Sequence, residues 1–116
     1  MRHRSTKKAL SRKSGPRRAL LKNLVQSFIV HGSIVTTPAK AKLVRSKTER
    51  LITIGRDPSL HNRRQLLAFL PTKKPVDILL EKLSPQYKER KGGYTRMTKL
   101  TSRKGDGAGQ VKLEFV

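Results

Sequence analysis

The sequence predicts an α+β fold: a small three-stranded mixed sheet that packs with four helices and carries a basic N-terminal arm. Apolar residues recur at helical spacing in four segments that begin at or near a proline, which fits well in the first turn of a helix. Residues 111–115, VKLEF, alternate between apolar and charged side chains, which is typical of a half-buried strand. Since 116 residues is the size of one domain, we expect a single domain over residues 16–116 and an arm over residues 1–15.

The first helix and the first strand have clear boundaries in the sequence. Residues 14–16, SGP, predict a helix start in which Ser or Gly is the cap and Pro takes the first helical position. The helix is expected over about residues 17–31, and Gly32 can end it in a left-handed conformation. The β-branched residues 33–37, SIVTT, then predict a short strand.

Three further helices are predicted after this strand. The second covers about residues 38–54, the third begins at Asp57-Pro58 and ends near residue 70, and the fourth begins at Pro75. Asp57 and Asp77 would then lie at helix starts, where a negative charge suits the helix dipole. Pro85 is expected to tighten or break the fourth helix. The apolar side of the third helix is predicted to consist of Leu60, Leu67, Phe69 and Leu70.

Two strands are predicted after Gly92-Gly93. They cover residues 94–101 and residues 111–115, and the turn sequence GDGAG lies between them. We expect them to pair as an antiparallel hairpin, to which the first strand is joined.

The charge of the chain predicts a polyanionic partner. There are 28 Lys or Arg residues against 7 Asp or Glu, which gives a net charge of +21. The first acid is Glu49, so the arm cannot neutralise itself and is expected to be unordered when free. A nucleic acid is the first candidate and an anionic membrane the second. Organelle transit peptides are also rich in Arg and Ser and poor in acids, but this arm leads directly into a helix start.

The first two helices carry cations where a helix disfavours them. Arg17 and Arg18 lie in the first turn of one helix, and Lys40 and Lys42 in the first two turns of the other. Cations beside the free backbone N–H groups of a helix start can bind phosphate. The alternative is that they point to solvent. Two such helices next to an acid-free arm favour phosphate binding.

Tyr94 and Arg96 allow two interpretations. On a strand they would project to the same side, where a ring and a guanidinium could contact one nucleotide by stacking and by phosphate binding. Alternatively, Tyr94 covers the edge of the core. The sequence favours neither.

The chain shows no pattern for catalysis. His3, His31 and His61 lack the spacing of metal ligands, and the sequence contains no Cys. GDGAG lacks the Lys and the Ser or Thr of a phosphate-binding loop. No apolar run is long enough to span a bilayer. We therefore expect no enzyme activity, cofactor, bound metal, small-molecule substrate or membrane partner.

Two rival functions remain from the residues alone. The second and third helices could form a helix-turn-helix that reads DNA through residues 61–65, HNRRQ. A membrane-active protein would need a long helix with exposed basic and apolar faces, whereas the apolar stripes here are short. Charge concentrated in an arm and two helix starts better suits a folded RNA.

Over nearly its whole length the sequence resembles the family of the seventeenth protein of the bacterial large ribosomal subunit. Five motifs in the same order carry the resemblance: MRHR at 1–4, IVTTPAKAKLVR at 34–45, NRR at 62–64, GGYTRMTKL at 92–100 and RKGDG at 103–107. The match begins at Met1, which argues against a transit peptide. Residues 9–20 depart from the family pattern, so family RNA contacts of individual side chains are not carried over there.

The resemblance implies a non-catalytic structural protein that binds large-subunit ribosomal RNA near the polypeptide exit region, beside neighbouring ribosomal proteins, in the cytoplasm. The expected RNA contacts combine basic residues, predicted from their charge, with residues of the family motifs. They are Arg2, His3, Arg4, Lys7, Lys8, Arg12, Lys13, Arg17, Arg18, Lys22, Lys40, Lys42, Arg45, Arg63, Arg64, Tyr94, Arg96, Lys99, Arg103 and Lys104.

Overall fold

The computed structural model of the chain describes residue 3 and residues 8–116. Arg2, Arg4 and Lys7 of the predicted arm therefore lie outside the described residues. The elements in order are α1 (Ser14–His31), β1 (Ser33–Thr36), α2 (Pro38–Gly55), α3 (Leu60–Phe69), α4 (Lys73–Ile78), a π-helical segment (Leu79–Leu83), α5 (Ser84–Gln86), β2 (Thr95–Leu100) and β3 (Gln110–Phe115). The predicted α+β class is confirmed.

The three strands form one sheet in the order β1-β3-β2. β3 lies in the centre, with Leu113 paired to Ile34 of β1 and to Met97 of β2. Both pairings are antiparallel, so the predicted mixed sheet is wrong in this detail. β1 and β2 run in the same direction, but they are not neighbours, because β3 lies between them and runs in the opposite direction. The predicted hairpin and its junction with the first strand are confirmed.

The core lies between the inner face of the sheet and the helices. Phe28 of α1 stacks on Phe115 of β3, with ring centroids 4.2 Å apart and planes 6° apart. This pair fixes α1 to the central strand. The rest of the core comes from helices α1 to α4, from the π-helical segment and from the sheet; its buried members include Val25, Ile29, Val44, Leu51, Ile52, Leu66, Leu70, Val76, Leu79 and Leu113.

Helix α1 starts earlier than predicted. Its N-cap is Lys13, which makes no side-chain capping bond, so the predicted cap by Ser14 or Gly15 is wrong. Pro16 is the third helical residue. This position tolerates proline because the first intrahelical bond runs from Arg17 N to Lys13 O, so the missing N–H of Pro16 would have had no partner.

The starts of α3 and α4 also differ from the prediction. Ser59 caps α3, because its hydroxyl accepts a hydrogen bond from Asn62 N at 3.2 Å. Neither α3 nor α4, both described in full, has an acid in its first turn. Asp57 precedes α3, and Asp77 is the fifth residue of α4. The predicted dipole role of these two acids is therefore wrong.

The buried side of α3 is Leu66, with Leu70 directly after the helix, and both are fully buried. Leu60 and Leu67, which were predicted to be buried, are 64% and 41% exposed. The prediction is correct for Phe69 and Leu70, which belong to the core, and wrong for Leu60 and Leu67, because α3 has apolar residues on two sides and packing against α2 decides between them.

Helix α2 approaches the π-helical segment closely at Gly55. A Cβ atom on Gly55 would lie 2.5 Å from both Leu79 Cδ2 and Ser84 Oγ. The Ser84 hydroxyl donates to Ile52 O at 3.3 Å. Ser84 N bonds to Leu79 O, five residues back, and Pro85 follows. The wider π-helical turn therefore lies just before Pro85, the proline that was expected to tighten or break this helix. None of the described helices is long and apolar enough to cross a membrane.

We predict that Gly55→Ala lowers the free energy of unfolding by about 1–3 kcal/mol, because the added methyl overpacks the contact with Leu79 and Ser84. Gly15→Ala is the matched control. A Cβ there meets nothing within 4 Å, and we expect the stability to stay equal or rise. Urea unfolding followed by circular dichroism measures both. Equal midpoints for the two variants would contradict the close contact.

Candidate nucleic-acid interface

The structure brings the starts of α1 and α2 together at one site. Lys8, Arg17, Arg18 and Lys40 line a cavity of about 110 Å³, and we call these four residues the helix-start cluster. The remaining wall is formed by leucines, namely Leu10, Leu20, Leu21, Leu24 and Leu43. Cations that the sequence predicted at two separate helix starts therefore share one surface.

The electrostatics of this cluster are uncompensated within the described residues. The first turns of α1 and α2 contain no acid, and their N-caps, Lys13 and Thr37, accept no side-chain capping bond. Each helix thus presents free backbone N–H groups and its positive dipole end beside cations. Such an arrangement is an anion site.

The segment before α1 connects the arm to this cluster. Leu10 and Ser11 have φ angles of 50° and 56°, in the left-handed region that side chains other than Gly rarely adopt. Arg12 stabilises the turn, because its Nη1 donates to Leu10 O at 2.8 Å and its backbone N to Ala9 O at 3.0 Å. The Leu10 side chain lines the leucine wall of the cavity. The end of the arm is thereby held against the domain.

Four of the predicted RNA-binding arginines are in ion pairs. Arg63 bonds to Asp77 at 3.1 Å, Arg96 to Glu114 at 2.8 Å and Arg45 to Glu49 at 3.6 Å, while Arg103 pairs with Asp106. The bond from Arg96 lowers the pKa of the Glu114 carboxyl, and Arg103 holds the pKa of Asp106 well below its usual range. Because each of these arginines is paired with a carboxylate, it attracts a phosphate less strongly than an unpaired arginine would.

The other predicted cations lie apart from these pairs. Lys22 lies near the Phe69 ring, with its Nζ 5.9 Å from the centroid. The remaining ones in the described part of the chain are exposed at the surface; they are His3, Arg12, Lys13, Lys42, Arg64, Lys99 and Lys104.

Tyr94 belongs to the core. It is 1% exposed, and its hydroxyl donates to Arg90 O at 3.1 Å and lies 3.4 Å from Thr53 Oγ1. Its ring centroid is 5.1 Å from that of Tyr87. Of the two interpretations, the one in which Tyr94 covers the core is therefore confirmed, and stacking of its ring on a nucleotide is wrong. Tyr94 precedes β2 and turns inward, whereas Arg96 lies on the outer face of the sheet with its side chain 63% exposed.

The residues proposed for reading DNA are mostly engaged within the protein. Asn62 Nδ2 donates to Asp57 O at 2.8 Å, and the side-chain nitrogens of Gln65 and His61 lie 3.0 Å apart. Arg63 pairs with Asp77. His61, Arg64 and Gln65 are exposed, and among the described residues Arg64 takes no part in these contacts.

The sequence prediction missed one group of cations. Arg50 near the end of α2, and Lys88, Arg90 and Lys91 in the loop before β2, are exposed. The run KERK directly before Gly92-Gly93 was the available signal. Within residue 3 and residues 8–116, no group of acids and histidines is arranged to hold a metal ion.

The chain is similar to a described protein family and to individual proteins from several bacteria. The sequence pattern of the family described as Ribosomal protein L17 matches residues 20–116. "Large ribosomal subunit protein bL17" of Thermoanaerobacter sp. (strain X514) is 50% identical over 107 residues, covering 92% of this chain and 96% of that protein. The protein of the same name from Clostridium perfringens (strain SM101) is 49% identical over 107 residues, with 92% and 95% covered. That from Bdellovibrio bacteriovorus is 48% identical over 114 residues, with 98% and 63% covered.

The burial of Tyr94 leads to a stability prediction. Tyr94→Ala should lower the free energy of unfolding by about 3–5 kcal/mol, the usual cost of removing a buried aromatic ring. Tyr94→Phe should cost about 1 kcal/mol through the lost hydroxyl bonds. Arg96→Ala removes only an exposed ion pair and should cost at most about 1 kcal/mol. Thermal unfolding decides: a Tyr94→Ala variant as stable as Arg96→Ala would mean that the ring is exposed.

Proposed function

Because this chain belongs to the ribosomal protein L17 family, we propose that it binds and stabilises the large-subunit ribosomal RNA near the polypeptide exit region. The family makes it a structural protein of the large ribosomal subunit. We propose no catalytic role, cofactor or small-molecule substrate, since this family is not a class of enzymes. Its place would be the bacterial cytoplasm, in the ribosome, beside neighbouring ribosomal proteins.

The helix-start cluster is the observation that carries the RNA-binding proposal. Two helix starts without acids or side-chain caps meet around Lys8, Arg17, Arg18 and Lys40. Like charges that line one cavity repel one another, and the positive ends of the two helix dipoles add to the repulsion. A phosphate backbone placed at the cluster would relieve both costs.

The arm would extend this surface along the RNA. Lys8, Arg12 and Lys13 are exposed directly before α1, and the arm continues towards His3. We propose phosphate contacts for Arg2, Arg4 and Lys7 on charge alone. The entropy lost in ordering an arm of this kind is offset by many phosphate contacts and by released counterions.

DNA binding has less support as a function. Side chains of α3 that would have to face base edges make contacts with Asp57, Asp77 and one another. A recognition helix needs its N-terminal side chains free to enter the major groove.

We expect the variant Arg17→Gln/Arg18→Gln/Lys40→Gln to bind large-subunit ribosomal RNA with a weaker salt dependence. With about 6–10 phosphates neutralised, the affinity of the unaltered chain should fall by about 10³–10⁵ between 50 and 200 mM salt. The variant should lower the slope of log affinity against log salt by about 2–3. Filter binding over this salt range measures the slope.

The matched control is Lys73→Gln/Lys74→Gln/Lys82→Gln, which removes the same charge from exposed positions on α4 and the π-helical segment. Equal slopes for the two triple variants would reject the helix-start cluster as a specific phosphate site.

The position near the exit region can be mapped separately. Because the chain contains no Cys, Ser11→Cys provides a single attachment point for a photo-cross-linker beside the helix-start cluster. After incorporation into large subunits, cross-links should map to RNA segments beside the polypeptide exit. Cross-links confined to other segments would reject this location while leaving RNA binding in place.

A further inference from the structure

We propose that the chain has a second RNA-binding surface, which takes the ribose-phosphate backbone of an RNA segment separate from the one at the helix-start cluster. The surface is a groove of about 550 Å³ between the second half of α2 and the loop before β2. We call it the α2-end groove, and its lining includes Ser46, Arg50, Ile54, Lys91 and Gly92. This inference rests on the proposed function.

The loop that forms one wall of the groove is fixed in place. Arg56 Nη2 donates to Lys88 O at 2.7 Å, and the Tyr94 hydroxyl donates to Arg90 O at 3.1 Å. Arg90 N donates to Tyr87 O at 3.0 Å. The backbone that carries the cations of this loop is therefore held in position before any partner binds, which lowers the entropic cost of binding.

The charges in the groove leave a net positive surface. Glu49 is the one acid that lines it, and this carboxylate is already engaged by Arg45 at 3.6 Å and by the Thr95 hydroxyl at 2.8 Å. Arg50 and Lys91 make no ion pair within the described residues. Glu89 lies on the same loop and is exposed, but Lys88, Arg90 and Lys91 outnumber it.

Gly92 lines the groove at a position where the fold itself does not require a glycine. A Cβ at this position would meet nothing within 4 Å, and Gly92 is not among the residues with positive φ. The fold of the described residues therefore tolerates a side chain here. Gly93 differs, because its φ of 62° favours glycine. A side chain at position 92 would instead occupy space that a bound backbone needs.

The shape and chemistry of the groove fit one strand of RNA backbone. Arg50 and Lys91 supply cations for successive phosphates, and Ile54 provides an apolar wall against which a ribose can pack. The exposed Ser46 can bond to a 2′-hydroxyl. Lys40 and Arg50 lie ten residues apart on α2, which is about 15 Å along a helix axis. A protein with both surfaces would hold two RNA segments at a fixed separation.

Hydroxyl-radical footprinting of purified bacterial large-subunit ribosomal RNA tests the inference. The full chain should protect two separate RNA segments. Arg50→Gln/Lys91→Gln should lose protection of one segment and keep the other, and its salt slope should fall by about 1–2. Gly92→Leu should lose the same segment while its thermal unfolding stays unchanged. The control Lys73→Gln/Lys82→Gln, on exposed positions elsewhere, should protect both segments.

The outcomes separate this inference from the proposed function. If both groove variants protect the same segments as the unaltered chain, the α2-end groove does not bind RNA and only this inference fails. The same holds if each variant weakens both segments equally. If the unaltered chain protects no segment at all, the proposed function and this inference fail together.

Discussion

The buried face of α2 is the constraint on which the rest of the molecule depends. Val44, Leu51 and Ile52 are at most 2% exposed and lie in a core that also contains residues of α1, α3, α4, the π-helical segment and the sheet. Since α2 begins at the helix-start cluster and its second half lines the α2-end groove, its packing positions one wall of each. Each group of cations includes one residue of this helix, Lys40 or Arg50, and the rigid packing of α2 keeps these two residues in a fixed relation.

The distribution of acids explains why the two ends of the chain differ. Acids appear only from Glu49 onwards, and four of the seven are paired with arginine. The arm, α1 and the first half of α2 have no carboxylate to offset their cations. Self-repulsion there lowers stability unless a polyanion is bound. Binding of RNA would therefore stabilise the fold by mass action as well as position the protein.

Much of the fold could be predicted because helix spacing, strand alternation and turn residues are local signals. The number, order and type of the main elements follow from them. The errors lie where distant contacts decide. Packing against α2 selects Leu66 over Leu67 as the buried side of α3. The exception is the start of α3, where Ser59 is the cap in place of the nearby Asp57. Of the interface, the cations of the two helix starts were predictable from charge and position. The inward turn of Tyr94 and the pairing of Arg63 with Asp77 were not, because each depends on residues far away in sequence.

Within the described residues, the outer edges of β1 and β2 have no strand partner, and this has a consequence for the protein before it reaches its site of assembly. An open strand edge can pair with another copy of the chain and start aggregation. Here β1 is only four residues long, and β2 carries Arg96 and Lys99. A short edge offers few hydrogen bonds, and a charged one repels an identical edge. The positive charge that we propose for RNA binding would thus also keep newly made copies apart from one another.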